Sequence, residues 1–217
     1  MKKWALVSIA NGPYVKYLKA MLESVRASGT NVDVVVTVVN SGHEELKPLC
    51  DVVIGICGQT SRTEESRFCV HHKPHIIKQA MGEYEHVVFL DADSVVWGNL
   101  DKALEDMEGY DFCCKRKKSG RITTPMLAMK SSDKMRRFCD FHAEATRVRA
   151  AQSKKPWGAG QRSMHEVWDK YHNEVSLYRI PGDILDVKWR IGSLIWTACR
   201  VDGPRSHDAL LQHWVGK

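Results

Sequence analysis

The stretch that decides the fold lies near the middle of the chain and reads Val87-Val88-Phe89-Leu90-Asp91-Ala92-Asp93. Four apolar residues in succession are typical of a short strand that is buried on both faces of a parallel sheet. Two acidic residues follow closely, so this strand delivers the carboxylates of Asp91 and Asp93 at its carboxyl end. In open α/β sheets, ligands bind at that edge. The stretch therefore predicts a buried strand that ends at a ligand-binding position.

The amino-terminal residues predict the rest of an α/β fold. Residues 4–9 are apolar apart from Ser8 and run into the turn signal Asn11-Gly12-Pro13, and residues 14–28 show apolar side chains at helical spacing. Residues 32–39 are nearly all β-branched, which is typical of a second buried strand. A strand, a helix and another strand in this order predict an α/β domain with a mostly parallel sheet flanked by helices.

The remaining elements are predicted from the same signals. The polar residues 58–68 predict an exposed loop, and Lys73-Pro74 predicts the start of a helix that runs to residue 83. Short apolar runs and helical periodicity predict strands at 52–56, 111–115, 124–130 and 209–214, and helices at 132–151 and 160–171. No internal repeat or linker divides the sequence, so we expect a single domain over residues 1–217.

Composition excludes several classes of protein. The 217 residues are 43% hydrophobic and 27% charged, which is ordinary for a globular chain and excludes a disordered one. No apolar run approaches the roughly 20 residues that cross a bilayer, and the short apolar start predicts a strand rather than a signal peptide. The seven cysteines show no CxxC pair, so we expect free thiols in a cytoplasmic protein, not disulfides or a zinc site. The net charge of +6 favours anionic partners.

The two carboxylates after the buried strand also indicate a metal site. Asp91 and Asp93 lie just past a strand end, where both can converge on one divalent cation. Carboxylate oxygens suit Mg²⁺ or Mn²⁺, which commonly bind substrate phosphates as well. A bare Asp-x-Asp is more often a solvated acidic turn, but its position directly after four apolar residues favours the functional interpretation.

Four segments resemble the GT-A glycosyltransferases, most closely family 8, the group of glycogenin and the bacterial galactosyltransferases. Residues 87–96, followed by Asn99-Leu100, resemble the DxD segment of that family, and residues 5–12 resemble its opening nucleotide-binding strand. Lys73-Pro74, before the helix that leads to the DxD strand, resembles a common lead-in. The carboxyl-terminal segment resembles a terminal His-x-x-Gly-x-Lys region, here one residue shorter: His213-Trp214-Val215-Gly216-Lys217.

The resemblance implies a GT-A-type domain with a nucleotide-binding half at residues 1–100 and an acceptor-side half at 101–217 that completes the metal site. It implies transfer of a sugar from a nucleotide-sugar donor, a UDP-sugar by family habit, to an acceptor hydroxyl with retention of configuration. The implied ligands of Mn²⁺ or Mg²⁺ are Asp91, Asp93 and His213, and the implied catalytic residues are Asp91, Asp93 and Gln161. The implied donor contacts are Ser8, Ala10, Asn11, Lys73, Asp91, Ala92, Gly216 and Lys217.

The acceptor cannot be carried over from the family. Many relatives have Gly-Asp-Gln where this chain has Gly158-Ala159-Gly160-Gln161, so an aspartate that helps to position the acceptor is missing. The basic run at residues 115–121 is typical of a solvated loop. It also fits an anionic acceptor, such as nucleic acid with hydroxymethylated bases or another polyanion. Carbohydrate, lipid and protein acceptors stay open.

Two other functions fit parts of the sequence. Haloacid-dehalogenase-type phosphatases also place Asp-x-Asp after an apolar strand, and residues 182–186 imitate their later acidic metal motif. Those enzymes carry the motif on their first strand, whereas a complete strand-helix-strand unit precedes it here. The second alternative is a non-catalytic binding protein on a GT-A scaffold, because the aspartate is missing and the ending is short. A sugar nucleotidyltransferase is disfavoured, since the glycine-rich phosphate loop expected after its first strand is absent.

Overall fold

The chain opens with a strand, a helix and another strand, as the first half of the sequence predicts. A computed structural model describes residues 2–58, 61–117, 119–153, 157–186, 192–197 and 205–215. Within these ranges it does not describe six side chains: Arg62, Trp157, Arg205, Ser206, His207 and His213. The strands are β1 (Lys2–Asn11), β2 (Asp33–Val39), β3 (Val52–Ile56), β4 (Tyr84–Leu90), β5 (Ser94–Val96), β6 (Phe112–Arg116), β7 (Ile122–Lys130), β8 (Leu177–Arg179), β9 (Leu185–Asp186) and β10 (Ile195–Thr197). The helices are α1 (Val15–Ala27), α2 (Arg62–Ala80), α3 (Asp101–Met107), α4 (Asp133–Gln152), α5 (Trp157–Tyr171) and α6 (Arg205–Val215).

Most of the strands form one sheet with the order β3-β2-β1-β4-β7-β6-β8. β7 is antiparallel to β4 and β6, while the other neighbours in this sheet run parallel. β5, β10 and β9 form a second, small sheet. The prediction of a mostly parallel sheet flanked by helices is confirmed.

Alternate residues of the two central strands pack into separate layers of the core. Leu6 of β1 and Leu90 of β4 lie in the layer that contains residues of α1. Val7 and Phe89 lie in the opposite layer, with residues of α2 and α4. All four side chains are at most 1% exposed. Burying an apolar side chain of this size contributes roughly 1.5–3 kcal/mol, and burial on both faces explains the uninterrupted apolar run before Asp91.

The chain order of the strands places a crevice between β1 and β4. From β1 the sheet continues through β2 and β3 on one side, and β4 lies on the other side. Connections that leave neighbouring parallel strands in opposite directions open a crevice at the carboxyl ends of those strands. Asn11 ends β1 and Asp91 follows β4, so this edge carries residues from both strands.

The helix before β4 begins earlier than predicted. The expected loop at residues 58–68 and the helix start at Lys73-Pro74 are wrong, because α2 begins at Arg62. Ser61 Oγ accepts a hydrogen bond from the backbone N–H of Glu64 at 3.2 Å and donates to the Glu64 carboxylate at 2.9 Å. A Ser-x-x-Glu cap of this kind stabilises a helix start. Pro74 lies inside the helix, where it removes one backbone N–H without ending the helix.

The carboxyl-terminal segment is a helix, so the predicted strand at 209–214 is wrong. Leu210 of α6 is 3% exposed and packs with Val95. Trp214 lies four residues further on, with its ring centre 5.7 Å from that of Trp97. Apolar residues four positions apart share one face of a helix, which explains this packing. Among the described residues, none of the helices combines the length and apolar character that a membrane span requires.

Candidate active site

A cavity of about 230 Å³ lies at the crevice between the ends of β1 and β4. The predicted site residues that line it are Ala10, Asn11, Lys73, Asp91, Ala92, Asp93 and Gln161. Further lining residues come from α2, β7, α4 and β10, among them Cys69, Thr124, His142 and Thr197. Residues far apart in the sequence therefore meet in one cavity, which we call the donor cavity after the nucleotide-sugar donor that the sequence resemblance implies.

Lys73 and Asp91 form an ion pair in the wall of the donor cavity. Lys73 Nζ donates to Asp91 Oδ1 at 3.0 Å and to the carbonyl oxygen of Thr124 at 2.6 Å. The ammonium also lies 3.9 Å from the ring centre of Phe89. The side chain of Lys73 is 12% exposed and that of Asp91 is 35% exposed. These contacts fix one carboxylate oxygen of Asp91 to the α2 lysine.

Burial and the ion pair act in opposite directions on these two groups. Burial lowers the pKa of Lys73, and the Asp91 carboxylate opposes that shift. Burial raises the pKa of Asp91, and the Lys73 ammonium opposes it. Each group therefore stabilises the charged form of the other, which is the usual condition for retaining charge in a partly buried position.

The turn after β4 is held by hydrogen bonds to both neighbouring strands. The backbone N–H of Asp91 donates to the carbonyl oxygen of Pro125 in β7 at 2.8 Å. Ser8 Oγ of β1 donates to the carbonyl oxygen of Leu90 at 2.7 Å and is fully buried. Ser8 does not line the donor cavity, so its hydroxyl supports the strand end from within the sheet.

Two asparagines at the ends of β1 and β2 share one carboxylate of α2. Asn11 Nδ2 donates to Glu65 Oε2 at 3.3 Å, and Asn40 Nδ2 donates to Glu65 Oε1 at 3.0 Å. Asn11 is 2% exposed, and its Oδ1 is buried without a hydrogen-bond partner among the described residues. A buried acceptor without a partner is costly, so this oxygen is suited to accept a hydrogen bond from a ligand in the cavity.

His142 and Gln161 connect α4, α5 and β7 at the other wall. His142 is 2% exposed, and burial lowers its pKa to about 4. The imidazole is therefore neutral at pH 7, and its Nε2 donates to the carbonyl oxygen of Gly160 at 3.0 Å. Gln161 Nε2 donates to the carbonyl oxygen of Ile122 at 3.0 Å. His142 thus holds the segment that carries Gln161 against the cavity.

Several residues of this cavity are not predictable from sequence motifs. His142, Cys69 and Thr124 carry no motif, and a lone histidine or cysteine in an amphipathic helix is usually structural. Burial raises the pKa of Cys69 to about 12, so this thiol is not a nucleophile at neutral pH. Three predicted positions lie outside the described residues: the side chain of His213, and the whole of Gly216 and Lys217. Their predicted roles stay predictions.

The carboxylate ligands at the donor cavity fit a hard divalent cation. Asp91 and Asp93 line the same cavity, and one oxygen of Asp91 is held by Lys73. Within the described part of the chain, no group of three or more histidine, cysteine or acidic side chains is placed to hold a metal ion. Two carboxylates together with substrate phosphate oxygens are a common ligand set for Mg²⁺. The residues present therefore fit a cation that a phosphorylated substrate completes.

Solved structures with the same fold carry the name of a glycosyltransferase. The apo form of the glycosyltransferase GlyE of Streptococcus pneumoniae TIGR4 superposes with a TM-score of 0.69 at 12% sequence identity. A second structure of GlyE superposes with a TM-score of 0.65 at 12% identity. Both alignments cover 99% of this chain. The chain shares the fold of these glycosyltransferase structures.

The similarity is one of fold and not of sequence. The chain spans 61% of the length of the GlyE chains. No protein-family model and no curated protein matches this sequence.

Proposed function

We propose that this protein is a metal-dependent glycosyltransferase that moves a sugar from a nucleotide-sugar donor, a UDP-sugar, to an acceptor hydroxyl. The observation that carries the proposal is the position of Asp91 and Asp93. They follow a buried central strand, line a cavity at the β1–β4 crevice, and belong to a fold that known glycosyltransferases share. The resemblance to family 8 supports the choice of UDP and the retention of configuration.

In this proposal the donor nucleotide lies at the end of β1 and its diphosphate at the acidic pair. Asn11 Oδ1 accepts a hydrogen bond from the nucleotide, because it is buried beside the cavity without another partner. Asp91 and Asp93, with His213 as the proposed third ligand, would hold Mn²⁺ or Mg²⁺. Such a cation would supply positive charge to offset the negative charge that develops on the departing diphosphate.

The contacts of Lys73 support a positioning role in this arrangement. The sequence predicts that Lys73 contacts the donor, and its ammonium already donates to Asp91 and to the carbonyl oxygen of Thr124. We therefore assign Lys73 to positioning Asp91, with any contact to the diphosphate as an addition. Gly216 and Lys217 remain proposed diphosphate contacts, and Gln161 remains a proposed contact to the transferred sugar.

Calorimetry with UDP, with Mn²⁺ present or removed by EDTA, tests the donor site. We expect UDP to bind with Mn²⁺ and to bind much more weakly with EDTA. His213→Ala should weaken the metal-dependent part of this binding. Equal UDP affinity in both conditions would remove the proposed metal role of Asp91 and Asp93.

A screen of nucleotide-sugar donors by mass spectrometry tests the chemistry, because hydrolysis to free sugar needs no acceptor. We expect hydrolysis of at least one UDP-sugar. Phosphate ester hydrolysis without donor hydrolysis would favour the phosphatase alternative, although the Asp-x-Asp here follows the fourth strand. UDP binding without any turnover would favour the non-catalytic alternative.

The cytoplasm is the proposed location. Six of the seven cysteines lie in the described residues as free thiols: Cys50, Cys57, Cys69, Cys113, Cys114 and Cys139. Burial raises the pKa of Cys113, Cys114 and Cys139 to about 12 each, so these thiols resist oxidation. Free thiols of this number are typical of a reducing compartment.

A further inference from the structure

A second cavity of about 910 Å³ adjoins the donor cavity and shares two wall residues with it, Lys117 and Gln161. Its other walls come from the turn between β6 and β7, from α4 and from α5. Four of its lining side chains are lysine or arginine: Lys117, Arg121, Arg149 and Arg162. We call this cavity the basic groove.

Most of the positive charge in the basic groove is not neutralised by ion pairs within the described part of the chain. Arg149 Nη2 bonds to Glu166 Oε2 at 2.8 Å, so that arginine is paired. Lys117, Arg121 and Arg162 are exposed, and none of them forms an ion pair with another described residue. Asp169 is the other acidic side chain of the wall. Three cationic side chains from three separate positions thus face one carboxylate.

His165 adds a neutral group to this wall at pH 7. Burial lowers the pKa of His165, and nearby Arg121 and Arg116 lower it further, while Asp169 opposes the shift. The excess charge of the groove is therefore carried by lysine and arginine. A site of this kind keeps its charge across the whole physiological pH range.

The basic side chains at residues 115–121 fall into two groups in the structure: those that bond to the backbone and those that line the groove. Lys115 donates to the carbonyl oxygen of Leu185, and Arg116 Nε donates to the carbonyl oxygen of Gly120 at 2.9 Å. Both side chains are thereby committed to the backbone. Lys117 and Arg121 line the groove instead, and Lys118 lies outside the described residues. Arg162 of α5 joins them from a distant part of the sequence.

We propose that the basic groove binds the phosphate groups of the acceptor and thereby sets its hydroxyl at Gln161, next to the donor cavity. This inference rests on the proposed glycosyltransferase function. Arginine binds phosphate through two parallel N–H donors, and two of the unpaired cations are arginines. Because the cations are spread over the β6–β7 turn and α5, the groove fits more than one phosphate group.

The placement of the groove is consistent with the chemistry of transfer. The acceptor hydroxyl oxygen bonds to the anomeric carbon as the bond from that carbon to the diphosphate oxygen breaks. The hydroxyl proton passes to the departing diphosphate. Gln161 lines both cavities, so it lies where an acceptor hydroxyl held by the groove would meet the sugar.

The test compares two double variants that remove the same charge. Arg121→Ala/Arg162→Ala removes from the groove the two arginines that form no ion pair with another described residue. Lys130→Ala/Arg137→Ala is the matched control, because both residues are exposed, lie on β7 and α4, and line neither cavity. Fluorescence anisotropy with a short labelled oligothymidylate measures polymer binding over a range of salt concentrations. Calorimetry with glucose 6-phosphate measures binding of a small phosphorylated sugar.

We expect the groove variant to bind at least one of these phosphate probes about tenfold more weakly, and the control variant to bind within about twofold of the wild type. For the oligothymidylate, loss of two phosphate contacts should lower the slope of log K against log salt by about 1.4. Loss confined to one probe identifies the source of the phosphate, polymer or small molecule. Equal weakening in both variants, or a wild type that binds neither probe, would overturn the proposal.

UDP calorimetry on the same variants separates this inference from the proposed function. Neither Arg121 nor Arg162 lines the donor cavity, so donor binding reports on an independent site. A protein that binds the phosphate probes through the groove but does not bind UDP would contradict glycosyl transfer and retain the groove. A protein that binds UDP with Mn²⁺ but neither phosphate probe would contradict the proposed role of the groove and retain the proposed glycosyltransferase function.

Discussion

The donor cavity and the basic groove share a wall but arrange their charges in opposite ways. In the donor cavity, the 12% exposed side chain of Lys73 is paired with Asp91 and bonded to Thr124. In the groove, Arg121 and Arg162 are exposed and form no ion pair with another described residue. A buried charge that loses its partner is poorly solvated, whereas an exposed charge is solvated and screened by salt. Changes in the cavity should therefore affect stability and activity together, and changes in the groove should affect binding in a salt-dependent way.

The largest expected effect is that of Asp93→Asn on turnover. Donor hydrolysis should fall by about 100-fold or more, because an amide lacks the charge that holds a divalent cation. Mass spectrometry of free sugar measures the rate, and thermal unfolding checks that the fold is retained. Asp140→Asn is the control, since Asp140 pairs with Lys78 away from both cavities. If the Asp93→Asn variant hydrolyses the donor at the wild-type rate, the acidic pair has no part in the chemistry.

The next effect is the loss of stability when the Lys73–Asp91 pair is broken. Lys73→Met should lower the free energy of unfolding by about 2 kcal/mol, less than for a fully buried pair because Asp91 is 35% exposed. The double variant Lys73→Met/Asp91→Asn should recover part of this loss, because it leaves no unpaired charge. Urea unfolding of both single variants and the double variant measures the coupling. If the two single effects simply add, the pair does not stabilise the fold.

Lowering the pH should reduce the stability of the fold by a comparable amount, because His142 is buried in its neutral form. Its pKa in the folded protein is about 4, whereas an unfolded histidine titrates near 6.5. The unfolded chain therefore binds the proton first, so stability is complete above about pH 6.5 and falls as the pH drops towards 4. Through this one group, the free energy of unfolding should be about 2 kcal/mol lower at about pH 5 than at neutral pH. Urea unfolding at several pH values measures the total change.

His142→Gln isolates the contribution of that residue, since the glutamine amide can still donate to Gly160 from the Nε2 position. The variant should lose less stability between neutral pH and about pH 5 than the wild type does. His172→Gln is the control, because His172 is exposed. Burial also lowers the pKa of His71, His72 and His86, so part of the pH dependence should remain in both variants. Identical pH profiles for His142→Gln and the wild type would contradict the assignment.

The smallest effect concerns the paired arginine of the groove. Glu166→Gln should free Arg149 and strengthen binding of the labelled oligothymidylate about two- to threefold, with a change in stability under about 1 kcal/mol. Glu144→Gln is a matched control, because Glu144 pairs with Arg147 on α4 and lines neither cavity. Anisotropy at low salt measures both variants. A Glu144→Gln variant that gains as much would show that net charge, and not the groove, controls binding.

The first half of the fold could be predicted because its signals are local. The run before Asp91, the β-branched residues of β2 and the spacing in α1 each report burial within one element. β8, β9 and β10 contain only two or three residues each, which is too short for any periodicity to appear. Ser61 and Glu64 carry a capping signal for the start of α2, but the polarity of residues 58–68 predicts a loop over the same segment.

The candidate site was predictable where it follows a strand end. Asn11 and Asp91 could be placed from the rule that ligands bind at carboxyl ends of parallel strands, and both line the donor cavity. Arg162 and His142 could not be placed in this way. Their positions depend on how α4 and α5 pack, and no pattern within either helix distinguishes them from ordinary surface or core residues.

By itself, the sequence determined the kind of fold and the acidic position at its centre, because alternation, β-branching and strand-end chemistry operate within a few residues. Only the tertiary structure decided what surrounds that position. The bond from Lys73 to Thr124 spans 51 residues, and the bond from Gln161 to Ile122 spans 39. Such contacts form when separate elements pack on the same core, so no local pattern encodes them. For the same reason, the division of the basic run into backbone-bound and groove-facing side chains became visible only in the folded chain.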